Sequence, residues 1–376
     1  MNGADAIGAV SFRGTVGTFP LEVAFTFPMQ GVTALFGPSG CGKTTILRCM
    51  AGLHHLPGRF EIGRDIWQDS DRHIFRAPHR RPVGYVLQEA SLFPHLSVQG
   101  NLRFGLRRSE LRESDHALRF DDIVQLLGIG HLLRRDANTL SGGERQRVAI
   151  GRALLSQPRI LLMDEPLSAL DSMTKDEILP YLETLHRTLR IPMVYVSHDI
   201  AEVARLADRI VVLSNGRKLA EGPITKVWER LDLQSAIDRA DAGVILEVHV
   251  LRHDTAFRLT YLDHHGQELA IPMVDRAPGE TLRIRILARD VSLATERPSG
   301  ISIRNILLGT IREIVEESET AHAEVLVDLG DAILRSSVTR ASVAELKLVP
   351  GRSVFAMVKS IAFDRLSLNP GPNRPD

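Results

Sequence analysis

The sequence has very little cysteine. Only Cys41 and Cys49 occur among its 376 residues. If the segment between them is helical, they lie about 12 Å apart, which exceeds the roughly 7 Å that a disulfide can bridge. We therefore expect two packed, unpaired thiols. No further cysteine or histidine stands at ligand spacing from them, which argues against a structural zinc site.

Long apolar runs and an excess of one charge are also absent. The longest apolar runs, such as residues 160–163, are far shorter than the roughly 20 residues of a membrane-spanning helix, and the N-terminus lacks a signal-peptide pattern. The 46 basic residues balance the 46 acidic ones, so non-specific binding of nucleic acid is not expected. The basic segment 72–81 is interpreted as a solvated loop. We expect a cytoplasmic location.

The length and the proportions of hydrophobic and charged residues are typical of a folded protein of two or three domains. Between residues 30 and 215, short apolar segments alternate with helical ones, which predicts a parallel sheet covered by helices. After about residue 232, strand-like segments without long helices predict a mostly β domain, divided by the turn-rich segment 296–300 into two barrel-like halves. The predicted domains are 1–232 and 233–376. The predicted strands of the first are 31–36, 83–87, 160–163, 193–197 and 210–214, and its helices are 44–51, 98–106, 120–127, 142–155, 175–189 and 200–206.

A glycine-rich loop stands between a predicted strand and a predicted helix. Glycines let its backbone aim N–H groups at a phosphate, and the helix start adds its positive dipole end. Lys43 is expected to hold the terminal phosphates, and Thr44 to place its hydroxyl on Mg²⁺. The alternative is a fortuitous glycine-rich turn. The segment fits the pattern G-x-x-x-x-G-K-[ST] and consists of Gly37, Pro38, Ser39, Gly40, Cys41, Gly42, Lys43, Thr44 and Thr45.

Two carboxylates follow the apolar strand at residues 160–163. They stand at its C-terminal end, the edge where open α/β sheets bind ligands. Because side chains alternate along a strand, Asp164 and Glu165 are expected to point in different directions. We assign Asp164 to Mg²⁺ and Glu165 to the attacking water, as general base. The alternative is an acidic strand end without chemistry.

A second glycine-containing segment begins a strongly helical stretch. Ser141 is a predicted N-cap, and Glu144 follows at capping-box spacing. Gly142 and Gly143 weaken the helix and have no use in a plain cap, so we interpret them as permitting close approach of a phosphate. One nucleotide needs only one phosphate loop. The segment is therefore predicted to serve a nucleotide on another copy of the chain, in a head-to-tail homodimer.

Together these motifs resemble the nucleotide-binding subunit of ATP-binding-cassette (ABC) transporters over about residues 8–232. The resemblance implies an α/β P-loop NTPase fold of the ABC type. It also implies that Gln88 senses Mg²⁺, nucleotide and the membrane partner, that Asp171 lies at the dimer interface, and that His198 contacts the γ-phosphate. Phe19 is the nearest candidate for the aromatic residue that stacks on adenine.

Two further segments narrow the resemblance. Residues 87–102 resemble the importer branch, and molybdate importers in particular. Residues 297–366 resemble the molbindin module, a small OB-like β-barrel that binds molybdate or tungstate. Candidate donors for such an oxyanion pocket are hydroxyl, amide and cationic groups. The alternative is that they only cover strand ends. These candidates are Ser302, Arg304, Asn305, Lys359 and Ser360.

The resemblance implies an ATP-hydrolysing subunit of an importer that energises uptake of molybdate or tungstate. It implies a homodimer at the cytoplasmic face of the inner (plasma) membrane, with integral membrane permease subunits as partners and an extracytoplasmic substrate-binding protein acting indirectly. No nucleic-acid partner is expected. Two alternatives stay open: a transport ATPase for sulfate, a sugar or a polyamine, and a soluble oxyanion sensor gated by ATP.

Overall fold

The computed structural model describes residues 7–107, 118–189, 191–228, 242–316 and 320–359. The chain divides into two compact units, Met1–Pro223 and Ile224–Asp376. The predicted boundary between residues 232 and 233 lies outside the described residues and stays a prediction. Ser360 and the end of the predicted module 297–366 also lie outside them. No helix in the described ranges has the length and apolar composition needed to cross a bilayer.

The first unit contains one large sheet and helices, as the α/β prediction requires. In the part of the chain that the structure describes, its strands are β1 (Ile7–Val16), β2 (Phe19–Pro28), β3 (Val32–Phe36), β4 (Gly58–Ile62), β5 (Asp65–Asp69), β6 (Ile74–Phe75), β7 (Val83–Val86), β8 (Ile160–Asp164), β9 (Met193–Ser197), β10 (Arg209–Ser214) and β11 (Arg217–Pro223). Its helices are α1 (Lys43–Ala51), α2 (Val98–Arg107), α3 (Phe120–Leu126), α4 (Gly142–Leu155), α5 (Ser172–Thr188) and α6 (Ile200–Leu206).

The centre of this sheet is parallel. Strands β10, β3, β9, β8 and β7 lie side by side in that order, and each adjacent pair is parallel. Every residue of β3, β8 and β9 is buried, which explains why these strands are continuous apolar runs in the sequence. Asn215 and Gly216, with φ of 47° and 74°, form the tight turn between β10 and β11 that the sequence predicts. The predicted parallel sheet is confirmed.

An antiparallel extension of the sheet was not predicted. Strands β1 and β2 pair over their full length, and β4, β5 and β6 continue the sheet beyond β1. Buried and exposed side chains alternate in β1 and β2, so one face of the strands packs inward. The pairing of β1 with β4 joins residues about 50 positions apart, and local sequence pattern does not specify such a partner.

The basic segment 72–81 is not solvated throughout, contrary to the prediction. Arg81 is only 5% exposed and donates to the carbonyl oxygens of Cys49, Met50 and Arg76 at 2.7–2.8 Å. Burial lowers the pKa of its guanidinium to about 10. Arg81 therefore caps the C-terminal end of α1 by donating hydrogen bonds to its last carbonyl groups. Cys49 is a buried, free thiol as expected.

The second unit is mostly β, as predicted. Its single core includes apolar side chains from both of its sheets. The first sheet has the order β14-β13-β12-β15, and the second has the order β16-β20-β17-β18-β19. In the described ranges its elements are α7 (Ile224–Trp228), β12 (Gly243–Asp254), β13 (Leu259–His264), β14 (Gln267–Pro272), β15 (Thr281–Leu287), β16 (Val291–Ala294), β17 (Asn305–Glu316), β18 (His322–Asp328), β19 (Ile333–Thr339), α8 (Arg340–Glu345) and β20 (Ser353–Val358).

The break at residues 296–300 does not separate these sheets. Strand β16 precedes the break, yet it pairs with β20 at the edge of the second sheet. Side-chain amides instead join the two sheets. Asn305 of β17, fully buried, accepts from the amide of Ala270 at 2.6 Å and donates to its carbonyl at 3.1 Å, and Gln267 of β14 bonds both main-chain groups of Leu308 in the same way. These amides satisfy backbone groups that strand pairing leaves open.

Replacing Asn305 tests this link between the sheets. Asn305→Ala leaves the N–H and C=O of Ala270 without partners, at about 1–3 kcal/mol for each buried group. We expect hydrogen exchange in β14, measured by mass spectrometry on the full chain, to become at least about tenfold faster. The control Thr310→Ala changes an exposed residue of the same strand and should leave this exchange unaltered. Equal exchange in both variants would show that Asn305 does not hold β14.

Candidate functional site

Three parallel strands bring the predicted groups to one edge of the sheet. Phe36 at the end of β3 is opposite Ser197 of β9, and Val196 of β9 is opposite Asp164 of β8. The glycine-rich loop follows β3, His198 follows β9, and Asp164 ends β8. The carboxyl ends of the strands therefore place the loop, the carboxylates and the histidine beside one another.

Glycine is required in the loop for reasons of space as well as conformation. A Cβ atom on Gly37, at φ 154°, would stand 2.2 Å from the carbonyl oxygen of Leu213. A Cβ atom on Gly42, at φ 103°, would stand 2.6 Å from the side chain of Leu21. Gly42 also precedes the first residue of α1, so the loop leads directly into a helix N-terminus. Exposed N–H groups at such a terminus are suited to a phosphate.

Lys43 is buried and held by the loop that it closes. Its Nζ donates to the carbonyl oxygens of Gly37 at 2.7 Å and Pro38 at 3.0 Å. An ammonium group has three hydrogens, so one remains for another acceptor. Glu165 is the nearest carboxylate, with 3.9 Å between Nζ and Oε1. The loop therefore orients the cation toward the cavity beside it.

The Asp164 carboxylate lies between two hydroxyl donors. Thr44 donates to Oδ1 at 2.8 Å, and Tyr85 of β7 donates to Oδ2 at 3.1 Å. Burial and the neighbouring carboxylate raise the pKa of the Tyr85 hydroxyl above its ordinary value, so the hydroxyl keeps its proton. Nothing in the sequence around Tyr85 indicated this role, because the contact joins different strands.

Glu165 leaves the strand in a rarely populated conformation. Its φ is 45°, in the left-handed region that residues with a side chain occupy at a cost of about 1 kcal/mol or more. The turn separates the two carboxylates: Glu165 faces Lys43, and its Oε2 lies 3.2 Å from Nδ1 of His198. His198 is half exposed, while Glu165 is largely covered. Strain of this kind concentrates at functional sites.

A buried acidic group lies beneath the histidine loop and was missed in the sequence. Glu202 of α6 is 3% exposed, and its Oε2 accepts from the hydroxyls of Tyr195 and Ser197 at 2.8 Å each. Its other oxygen is 2.8 Å from Nζ of Lys175, which also contacts Asp199. These bonds fix the residues on both sides of His198 and so hold its backbone in place.

A cavity of about 300 Å³ opens beside the loop. Phe19, at the start of β2, lines it next to Gly42, so the candidate for stacking on a base lies where a nucleotide would enter. Cys41 is buried within the loop, and burial raises the pKa of its thiol. The cavity is lined by Val16, Phe19, Ser39, Gly40, Gly42, Lys43, Thr44, Thr45 and Glu165.

Ser141 forms the predicted capping box with Glu144, but the two glycines have a use that the prediction overlooked. Ser141 Oγ accepts from the Glu144 amide at 3.2 Å, and the Ser141 amide donates to Glu144 Oε2 at 2.7 Å. A Cβ atom on Gly143 would stand 2.6 Å from Thr174 of α5, and one on Gly142 would stand 2.8 Å from Leu170. The argument that a cap has no need of glycine was therefore wrong, because both glycines permit packing within the chain.

Asp171 and Gln88 stand apart from the catalytic carboxylates. Asp171 is the N-cap of α5, where its carboxylate accepts from the amide and hydroxyl of Thr174 at 3.0 and 2.8 Å. The Thr174 amide lowers the pKa of this exposed carboxyl. Gln88 is exposed just after β7, and among the described residues no hydrogen bond joins it to Thr44 or Asp164. The structure thus brings together Lys43, Thr44, Asp164, Glu165 and His198, but not these two.

The candidate oxyanion donors of the second unit differ in exposure, and strand pairing sets Asn305 of β17 opposite Val358 of β20. Asn305 is buried, and its amide group bonds both main-chain groups of Ala270. Ser302, Arg304 and Lys359 are exposed. Arg304 lines a cavity of about 290 Å³ together with Arg252, Tyr261, Glu268 and Ala270, where Glu268 is paired with Arg252.

Comparison with known proteins identifies both parts of the chain. The family model described as ABC transporter matches residues 21–168, and the TOBE domain model matches residues 301–362. The molybdenum import ATP-binding protein ModC of Rhodopseudomonas palustris (strain HaA2) is 50% identical over 358 residues, 93% of each chain. The molybdenum import ATP-binding protein ModC 1 of Azotobacter vinelandii is 49% identical over 360 residues, 96% of this chain and 99% of that protein.

Solved structures support the cassette fold. The cbiO1 protein of Clostridium perfringens, part of the ABC transporter complex cbiONQ, superposes with a TM-score of 0.52 at 26% identity, over 60% of this chain and 91% of that one. A nucleotide-free ATP-binding cassette from an ABC transporter, 23% identical, superposes with a TM-score of 0.50 over 60% of this chain and 96% of that one. The predicted ABC-type fold is confirmed.

Substituting Gly37 tests the steric requirement of the loop. In Gly37→Ala the new methyl group meets the backbone of Leu213, so the loop must move, and we expect the affinity for a fluorescent ATP analogue to fall about tenfold or more in titrations of the full chain. Gly63→Ala is the matched control: it has a positive φ of 60° but no neighbour within 4 Å, and should bind normally. An unchanged affinity in Gly37→Ala would contradict the assigned loop geometry.

Proposed function

The chain belongs to the family of molybdenum import ATP-binding proteins of ABC transporters, and from that premise we propose how its residues cleave ATP and in what assembly. It is the ATP-hydrolysing subunit of a molybdate importer. The observation that carries the mechanism is the convergence of Lys43, Thr44, Asp164 and Glu165 at one edge of the sheet.

Lys43 and the loop bind the phosphates of ATP. The amides at residues 39–44 surround the terminal phosphates, and the third hydrogen of Lys43 goes to a phosphate oxygen. Phe19 packs against the base at the other side of the cavity. Burial of Lys43 strengthens its attraction for a phosphate, because little water competes for the charge.

Thr44 and Asp164 fit Mg²⁺. A hydroxyl and a carboxylate are the oxygen donors that this ion prefers, and here they are already within 2.8 Å of each other. Tyr85 holds the second carboxylate oxygen, which limits the rotation of Asp164. Gln88 is proposed as a further ligand that approaches when the membrane partner is engaged. When bound, the ion neutralises charge on the phosphate oxygens.

Glu165 and His198 act on the water and the γ-phosphate. Glu165 accepts a proton from the attacking water as general base, and Lys43 Nζ lies 3.9 Å from its Oε1. His198 hydrogen-bonds to Glu165 in this structure and is exposed on its other side, so it can reach the γ-phosphate while orienting the base. The bonds of Glu202 to Tyr195 and Ser197 keep His198 in position.

The functional unit is proposed to be a homodimer with shared nucleotide sites. Within the described chain, the cavity beside the loop is not lined by Ser141, Gly142 or Gly143. Ser141 is exposed at the start of a 14-residue helix, and Asp171 is exposed at the start of α5. Two copies placed head to tail would set the Ser141 surface of one chain against the phosphate loop of the other.

The partners follow from the transporter family. The chain is proposed to sit on the cytoplasmic face of the inner (plasma) membrane and to pass its movement to permease subunits through the surface around Gln88. An extracytoplasmic substrate-binding protein would deliver the oxyanion to the permease. In the second unit, Ser302, Arg304 and Lys359 are the proposed donors for molybdate or tungstate because they are exposed, whereas Asn305 is buried and bonded to Ala270.

Replacing the proposed general base tests the mechanism. Glu165→Gln removes the proton acceptor but keeps the size of the side chain. We expect ATP hydrolysis by the full chain to fall about 10²- to 10⁴-fold, with nucleotide affinity little changed.

Glu345→Gln makes the same chemical change at an exposed residue of α8 and should keep normal turnover. Phosphate release and binding of a fluorescent ATP analogue are measured for both variants. If Glu165→Gln hydrolyses ATP as fast as the control, Glu165 is not the base.

A further inference from the structure

Two turns of the second unit bring a pair of histidines to an aspartate. His264 ends β13 and His265 begins the two-residue turn to β14, in which His265 and Gly266 have φ of 50° and 82°. Asp331 lies in the turn between β18 and β19 of the other sheet. One ligand atom from each of the three side chains lies within 4.8 Å of the others.

The tautomer of His264 leaves a lone pair directed at this point. Its Nδ1 lies 3.4 Å from the main-chain carbonyl oxygen of Glu247, which can only accept, so Nδ1 carries the hydrogen. In the neutral ring, Nε2 is then an acceptor. Histidines that bind metals show this arrangement, in which a backbone carbonyl holds one ring nitrogen and frees the other for the ion.

The buried end of the His264 ring has no hydrogen-bond partner. The side chain is 1% exposed, and Nε2 is buried without a bond that meets hydrogen-bond geometry. Oδ1 of Asp331 lies 3.3 Å from Nε2 and is, like Nε2 of the neutral ring, an acceptor. Two acceptors that face each other at this distance repel unless a proton or a metal ion lies between them.

The distance between the His264 and Asp331 ligand atoms matches tetrahedral coordination of one ion. Two ligand atoms that each lie about 2.0 Å from a tetrahedral ion are about 3.3 Å apart, which is the distance from His264 Nε2 to Asp331 Oδ1. His265 Nε2 lies 2.7 Å from the other carboxylate oxygen, and both His265 and Asp331 are exposed enough to adjust. The opening to solvent on their side leaves room for a water as fourth ligand.

We propose that His264, His265 and Asp331 bind one divalent transition-metal ion, with Zn²⁺ as the preferred species. Two imidazole nitrogens and one carboxylate oxygen form a ligand set that suits Zn²⁺ and excludes Mg²⁺ and Ca²⁺, which prefer oxygen ligands alone. The ion would join the β13–β14 turn of one sheet to the β18–β19 turn of the other, where the amide bridges of Asn305 and Gln267 already link the sheets. This site is independent of the nucleotide site.

Zinc titration of the full chain tests the proposal. The protein is first treated with a chelator and then titrated with Zn²⁺ by calorimetry, without nucleotide. We expect one tight site per chain, and at least tenfold weaker binding in Asp331→Asn and in His265→Asn. Both residues lie in exposed turns; asparagine tolerates the positive φ of His265, and it has nearly the size and shape of Asp331. His322→Asn, an exposed histidine of β18, is the matched control and should bind as the unaltered chain.

A second measurement separates the site from other zinc-binding groups of the chain. Hydrogen exchange at residues 264–267 and 329–332 should slow when Zn²⁺ is added to the unaltered chain, and should not respond in Asp331→Asn. Zinc affinity in Asp331→Asn within threefold of that of the unaltered chain, or exchange at both turns that does not respond to Zn²⁺, would overturn the proposal. In that case the three side chains form only a histidine–aspartate ion pair.

Discussion

The parallel pairing of β3, β9 and β8 decides where every group of the nucleotide site lies. Because Phe36 is opposite Ser197 and Val196 is opposite Asp164, the three strands end at the same level. A shift of one residue in either pairing would turn the side chains to the opposite faces and separate Thr44 from Asp164. The buried apolar faces of these strands fix that register, so the core determines the geometry of the polar site above it.

Much of this arrangement could be predicted because its signals are local. The loop residues 37–45 and the Ser141–Glu144 capping box each lie within a few positions, and the apolar strand β3 stands directly before the loop. The predicted ABC-type fold and the ATPase function in molybdate import are confirmed by the comparisons. The prediction of molybdate as the cargo depends on segments 87–102 and 297–366. The nucleotide-binding motifs alone do not indicate a cargo.

The features that sequence did not predict depend on contacts between distant segments. Tyr85 reaches Asp164 across 79 positions, and Asn305 reaches Ala270 across 35, so neither has a neighbour in sequence that signals its role. Arg81 belongs to a basic segment that the sequence predicts to be solvated, but it donates to the carbonyl groups at the end of α1. The presence of glycine at position 143 was attributed to contact with a phosphate, but a side chain at this position would also collide with Thr174. In each case the partner became known only from tertiary packing.

The central claim is that one chain supplies half of each nucleotide site and a second copy supplies the rest. Sedimentation velocity of the full chain, with Mg²⁺ and a slowly cleaved ATP analogue, tests it most directly. The account predicts dimers with the analogue and monomers without it, and monomers under both conditions for Ser141→Arg, while Ser353→Arg, a control at an exposed position of β20, dimerises normally. Monomers that hydrolyse ATP at the full rate, or dimers of Ser141→Arg, would contradict it.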